Sequence, residues 1–268
     1  MTNKLVAIDV DGTLLSDQRT LSDRNVAAIR AVLAQGVRVV LATGRRRASC
    51  LPILEQLGLR APGLFVQGLH IADEQGNLLR GKFLSPVIVR RVVDFMHSAD
   101  FGVTGYGADA LRTERLNRHT QSGHIGSTPS VTHDLSADPQ HLLITHGDSK
   151  ELAALRPLLD VELRGEAQTV MSSPYMLEVL PLGGLKGEGL LWLAAFLGVS
   201  AENTIAIGNA ENDLDMLHKA GFGIAVANAE QIVKDSADVI VASNNDNGVA
   251  EALERFVLGR AQEAKSIE

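Results

Sequence analysis

At 268 residues, 45% hydrophobic and 21% charged, the chain holds apolar material for one sizeable domain or two smaller ones. Its 25 Lys and Arg against 32 Asp and Glu give a net charge of -7, which excludes the basic surface that sequence-independent nucleic-acid binding needs. The single cysteine, Cys50, excludes an internal disulfide framework; with no apolar run near the roughly 18 residues of a membrane span, and opening residues that turn acidic too early for a secretory leader, the expected location is cytoplasmic.

Residues 5–10 form an apolar, β-branched run that stops at Asp11-Gly12, the pattern of a buried strand entering a turn. Apolar residues at Val26, Ile29, Val32 and Leu33 follow helical spacing, with Ser22 as N-cap and Gly36 as stop. Residues 37–42 read as a second buried strand and 46–57 as a helix ended by Gly58. Residues 64–66 read as a third strand, leading to a hairpin about Glu74-Gln75-Gly76-Asn77. Between 82 and 181 the pattern changes to helices over 88–96 and 152–159, with short strands over 161–163 and 176–180. A polar stretch over 117–133 reads as a solvated loop. After 182 the first grammar returns: helix 185–197, strand 204–207 ending at Gly208, helix 213–220, strands 223–226 and 239–242, and helix 249–257. Residues 260–268 read as a frayed, charged terminus.

Alternating strands and helices specify an α/β fold, a Rossmann-like parallel sheet with helices on both faces. Residues 1–81 and 182–268 supply that core, and residues 82–181 an α+β cap inserted into it. Two chain crossings imply a cleft at the hinge, a favoured place for a small ligand.

Four short strings carry chemistry. In Asp9-Val10-Asp11-Gly12-Thr13, two carboxylates lie two residues apart at the carboxyl end of a buried strand, where open α/β sheets bind ligands. Close carboxylates repel unless a cation compensates, and a hard cation such as Mg²⁺ takes oxygen ligands. Asp-Gly alone equally describes a surface turn. In Ala42-Thr43-Gly44-Arg45 a hydroxyl and a backbone N–H precede a helix, which serves either as a plain N-cap before a basic first turn or as a place where an anion is favoured. The run Arg45-Arg46-Arg47 opposes the dipole of a helix starting there, and a bound anion would offset the conflict. Before the next helix, Lys186 in Leu185-Lys186-Gly187 is either a solvated surface lysine or a positive charge returned to the site where the chain re-enters the core. Finally, Gly208-Asn209-Ala210-Glu211-Asn212-Asp213 gathers oxygen-bearing side chains at a helix start. That arrangement serves either a cation or a multiply capped helix.

Together the four strings resemble the haloacid dehalogenase superfamily, and within it the Cof-type hydrolases with a large α+β cap. Ala227-Asn228-Ala229 and Asn247-Gly248-Val249-Ala250 echo that family's ending. The resemblance implies an Mg²⁺-dependent phosphatase of small phosphorylated metabolites such as sugar phosphates. Asp9 would attack phosphorus and form an aspartyl-phosphate; Asp11 would act as general acid and then base. Thr43 and Lys186 would hold the phosphoryl oxygens, with Gly12, Gly44, Arg45 and Asn212 completing the phosphate site. Asp9, Asp11 through its main-chain carbonyl, Asn209 and Asp213 would form the metal site. Partners would be the substrate alone, with no nucleic acid and no membrane, in a monomer or small homo-oligomer.

Two positions depart from the family pattern. Asn209 stands where Asp is usual, which predicts weaker Mg²⁺ affinity without loss of the site. Gln67-Gly68 stands where Asn-Gly is frequent, which bears on substrate preference. A phosphotransferase or mutase shares the early chemistry, and a weak phospho-ligand-binding protein shares the fold. A dinucleotide-dependent oxidoreductase lacks its G-x-G-x-x-G after the first strand. His119, His124 and His133 match no zinc spacing and read as solvated; Cys50 has no evident His partner.

Overall fold

A computed structural model describes residues 4–107, 110–120 and 128–259. In chain order its elements are β1 (Leu5–Ile8), α1 (Asp23–Ala34), β2 (Arg38–Leu41), α2 (Arg47–Leu57), β3 (Gly63–Phe65), β4 (His70–Ala72), β5 (Leu78–Gly81), α3 (Pro86–Ser98), β6 (Thr104–Gly107), β7 (Leu111–Thr113) and β8 (Ser130–Val131). They continue as β9 (Gln140–His146), α4 (Ser149–Leu163), β10 (Ala167–Ser173), β11 (Met176–Pro181), α5 (Lys186–Phe196), β12 (Thr204–Gly208), α6 (Leu214–Lys219), β13 (Phe222–Val226), α7 (Gln231–Ser236), β14 (Val239–Val241) and α8 (Gly248–Phe256).

The apolar runs at the two ends of the sequence meet in one parallel five-stranded sheet, ordered β14-β13-β12-β1-β2. β1 lies between β12 and β2, so all four of its residues are buried. Successive side chains point to opposite faces of a strand. Accordingly Val6 and Ile8 pack with α1, α2 and α8 through Ile29, Leu57 and Leu253. Leu5 and Ala7 pack with α5 and α6 through Leu190, Leu193 and Met216. Helices therefore cover both faces, which is the α/β architecture the periodicity specifies. Ser22 caps α1 by accepting from Asn25 N, and Gly58 ends α2 in the left-handed conformation. A parallel bridge from Ala42 to Leu64 carries the edge of this sheet on to the antiparallel β3-β4-β5 ribbon.

Residues between β5 and α5 form a second sheet, ordered β10-β11-β9-β6-β7-β8. One face packs on α3 and α4, burying Leu143, Leu177 and Val179. The other carries Leu142, Ile144, Val170 and Leu180 into the apolar cluster that includes β1. The chain passes between the sheets at two adjacent points, since Lys82 Nζ donates to the carbonyl of Gly183 at 2.7 Å. Arg156 of α4 forks onto Glu211 of the loop after β12 at 2.7 and 2.9 Å.

The structure corrects the reading of this middle region. Residues 161–163 are not a strand; they complete α4. Asp148 and Glu151 form a capping box at its start, and Leu152, Leu155, Leu159 and Leu163 make one buried stripe. Val161, 77% exposed, lies off that stripe. β6, β7, β9 and β10 escaped the periodicity. β9 is buried throughout although it reads Gln-His-Leu-Leu-Ile-Thr-His. Several of its polar groups are bonded inside: Gln140 donates to Leu135 O at 3.1 Å and Thr145 to Gly102 O at 2.8 Å. His119 is not solvated either. It is buried, stacked on Phe101, and its Nδ1 accepts from Gly102 N. His124 and residues 260–268 lie outside the described residues.

Candidate active site

The carboxyl edge of β1 opens into a cavity of about 660 Å³, walled below by the parallel sheet's loops and above by the second sheet. Asp9 is the first residue past β1. Its N–H donates to Ile207 O at 2.9 Å, which keeps the chain in the ladder and leaves the side chain at the sheet's edge. The carboxylate is buried, with Oδ1 2.6 Å from Lys186 Nζ. Lys186, itself 0% exposed, reaches Asp213 Oδ1 at 2.7 Å with the same ammonium.

Two buried acids thus share one buried cation. Burial, and then the charge of Asp213, push the Asp9 carboxyl up to about 7 despite the pull of Lys186. For Lys186, burial alone would lower the ammonium, but Asp213 and Asp9 overcome it and hold it above its ordinary value. The two tendencies agree if the lysine stays charged and the surplus negative charge falls on the acids. Such a site is short of one positive charge.

Asp11 turns out of the line of the strand. Its side chain is 54% exposed and is gripped by Arg45, whose Nε and Nη2 donate at 2.7 and 2.5 Å. That hydrogen-bonded pairing raises the guanidinium above its usual range. Gly12 has φ of +75°, and a Cβ there would stand 2.6 Å from the Asn209 side chain. Only glycine permits both the turn and the approach of residue 209. Thr43 is buried and its Oγ1 accepts from Arg45 N at 3.1 Å. Gly44 lets the Gln67 side chain approach to where a Cβ would be 2.6 Å away.

Asn209 occupies the centre of the loop cluster. The same end atom of its amide lies 2.9 Å from Thr13 Oγ1, 3.0 Å from the main-chain oxygen of Asp11 and 3.2 Å from Asp9 Oδ2. With nitrogen at that end, the amide donates to all three. With oxygen there, Asn209 faces Asp9 and Asp11 at a spacing of about 3 Å, which neighbouring ligands of an octahedral ion bound at about 2.1 Å adopt. The donor set of carboxylate, carbonyl and amide oxygens also suits a hard cation. The residues therefore fit Mg²⁺.

Asp213 stands behind this set rather than within it. Its Oδ1 is held by Lys186 and its Oδ2 by the N–H groups of Asn209 and Ala210 at 2.9 and 3.1 Å. Asn212 lines the cavity but spends its Nδ2 on Gln67 Oε1 at 3.0 Å. The structure thus gathers Asp9, Asp11, Gly12, Thr43, Gly44, Arg45, Asn209 and Asn212 around one cavity, with Lys186 and Asp213 buried directly beneath Asp9. Cys50 is buried away from any such role, and burial pushes its thiol up to about 12.

Residues 6–253 match the haloacid dehalogenase-like hydrolase family. The chain belongs to that family. A Bacillus subtilis member, 5-amino-6-(5-phospho-D-ribitylamino)uracil phosphatase YcsE, is 34% identical over 95% of this chain and 96% of its own. The chloroplastic endoribonuclease YBEY of Arabidopsis thaliana is 32% identical over 92% of this chain; the match spans 45% of that longer protein. Among solved structures, a haloacid dehalogenase-like hydrolase from Bacteroides thetaiotaomicron superposes with a TM-score of 0.81 at 30% identity, covering 94% of this chain and 99% of the other. This haloacid dehalogenase-like hydrolase is an enzyme of a family in which several similar members are named phosphatases.

Among the lining residues outside the four strings, Gln67 and Glu178 are bonded to each other. Gln67 and the residue before it, Val66, both hold positive φ, 59° and 51°, a conformation that strains a β-branched residue. Glu178 is a buried acid in β11, 2.8 Å from Gln67 Nε2. The signal for Glu178 was an acid within an apolar strand, Met-Leu-Glu-Val-Leu; no local pattern marks where it points.

Proposed function

We propose that this protein is an Mg²⁺-dependent phosphatase that hydrolyses phosphomonoesters of small metabolites through an aspartyl-phosphate on Asp9. The observation that carries the reading is the shortage of positive charge around Asp9. A buried nucleophile beside a second buried acid, with three oxygens poised at ligand spacing, is a site built to be completed by a divalent cation. Asp9, the carbonyl of Asp11 and the side-chain oxygen of Asn209 would hold it. Bound there, Mg²⁺ supplies the charge that lets a carboxylate and a phosphate approach each other.

Asp9 attacks phosphorus while the alcohol departs with a proton from Asp11; water then attacks the phosphoryl group, gives its proton to Asp11, and frees Asp9. Asp11 meets this role by turning from Arg45 into the cavity it already lines. Lys186 and Thr43 steady the phosphoryl oxygens. Asp213 positions Lys186 and the Asn209 N–H. Residues 82–181 act as the cap that closes over the substrate. The Bacillus relative's named substrate supports a small phosphorylated metabolite as the class. A single buried cysteine, and no helix among the described residues long and apolar enough to cross a membrane, support work in the cytoplasm.

The test is a screen of phosphate release from phosphorylated sugars, nucleotides and small acids with Mg²⁺, using Asp9→Asn as control. Release that needs Mg²⁺ and disappears in the variant is the expected result. No release from any compound, or equal release by the variant, contradicts the reading.

A further inference from the structure

Among the described residues, the upper wall of the cavity carries one acid, Glu178. Glu178 lies in the middle of β11, opposite Ile144 of β9 on one side and Val170 of β10 on the other. Leu177 and Val179 turn toward α3 and α4, while Met176 and Glu178 turn into the cavity. An apolar side chain is the default at a strand position flanked in this way. Glu178 is instead 4% exposed and bonded to two neutral donors, Ser172 Oγ and Gln67 Nε2, each at 2.8 Å. A carboxylate has about four acceptor positions, so two remain beyond these partners. Burial pushes the carboxyl up to about 7. Keeping an acid in such a place is costly, and a well-packed apolar residue would be more stable.

The fold also spends strain to meet it. The left-handed backbone at Val66 and Gln67 directs the Gln67 amide between two partners, Nε2 to Glu178 and Oε1 from Asn212 Nδ2. Ser172, Glu178, Gln67 and Asn212 form one hydrogen-bonded chain from the upper wall to the loop that carries Asn209. With phosphorus held over Asp9, the organic part of a substrate lies between these two layers and faces Glu178.

We propose that Glu178 selects the leaving group: it accepts a hydrogen bond or ion pair from a hydroxyl, an amine or a ring N–H, and it rejects leaving groups that carry a second acid. The inference rests on the phosphatase reading above. Preferred substrates are therefore phosphomonoesters of neutral or cationic molecules rich in donors. Rejection follows because a second negative charge is repelled by a buried carboxylate whose hydrogen-bond partners, Ser172 and Gln67, are both neutral.

The experiment compares kcat/KM of the wild-type protein, Glu178→Gln and Glu178→Asp with Mg²⁺ on a hexose phosphate, phosphoethanolamine, phosphoglycerate and p-nitrophenyl phosphate. For Glu178→Gln, the preference for hexose phosphate and for phosphoethanolamine over p-nitrophenyl phosphate falls about tenfold or more, mainly through KM. The preference for phosphoglycerate over the same reference rises. Glu178→Asp shifts the ratios in the same direction by less, and it decides the matter if the glutamine variant does not fold. A uniform loss on all four compounds, or ratios unchanged within about twofold, overturns the inference while leaving the phosphatase reading intact. A wild-type protein inactive on all four compounds overturns both.

Discussion

Asn209 is where the site departs most from a set of plain carboxylates. Its amide can turn nitrogen or oxygen toward Asp9 and Asp11, so it satisfies those oxygens without metal and joins them around one. A carboxylate in its place could do only the second. Asn209→Asp is therefore expected to lower the half-saturating Mg²⁺ concentration, about tenfold for a full added charge. It should also destabilise the metal-free protein by about 1–3 kcal/mol, because an oxygen replaces a donor in a buried cluster. Thermal melts in chelator and across an Mg²⁺ titration measure both; a variant with an unchanged or weaker metal requirement contradicts the account. Glu178 gives a second prediction, in pH. Its folded value of about 7 lies above the ordinary 4.5, so the protein is favoured while the acid is protonated. That stability is fully present below about 4.5 and is lost as pH rises toward 7, by up to about 3 kcal/mol for a shift of this size. Glu178→Gln should therefore gain on the wild type between pH 5 and pH 8, as read from the difference in melting temperature. A difference that stays flat or shrinks with pH would contradict it. The residues of the four strings were legible because each string is local, with strand, turn and functional side chain adjacent in sequence. Gln67 was legible only as a departure from the family's Asn-Gly, and Glu178 was not legible, since what marks their pairing is a meeting across 111 positions.

Elements of the parallel sheet were legible for a related reason. β1, β2 and β12 are apolar at nearly every position, and Ser22, Gly36 and Gly58 punctuate the helices between them. In the second sheet β11 was legible, as the strand expected over 176–180, but β9 was not, because it buries polar residues such as Gln140 and Thr145 whose partners no local pattern names. α4 shows the same limit at the scale of one turn. Read alone, Val161 to Leu163 is a β-branched end; in the fold it extends a helix whose stripe ends at Leu163. Leu163→Ala should cost about 2–4 kcal/mol, as a buried leucine does, while Val161→Ala should change stability by less than about 0.5 kcal/mol. Urea titrations of the two variants distinguish this from a strand, in which the two would alternate with Glu162 instead.

At the scale of the molecule, the two sheets are joined at the crossing beside Lys82 and by the Arg156–Glu211 fork, and the cavity lies between them. Glu211 sits within the loop that positions Asn209, Asn212 and Asp213. Arg156→Ala should therefore raise KM about three- to tenfold with a smaller fall in kcat, while stability drops by about 1 kcal/mol or less for a pair whose side chains are 31% and 26% exposed. Equal melting temperatures with unchanged KM would mean that the fork does not govern how the upper sheet meets the substrate. The account as a whole turns on covalent chemistry at one side chain. A single turnover with radiolabelled phosphoester and Mg²⁺, quenched in acid, reduced with borohydride and mapped by peptide, reads it directly. The account predicts label bound to the protein and homoserine at position 9; turnover without protein-bound label, or with label at another residue, would contradict it.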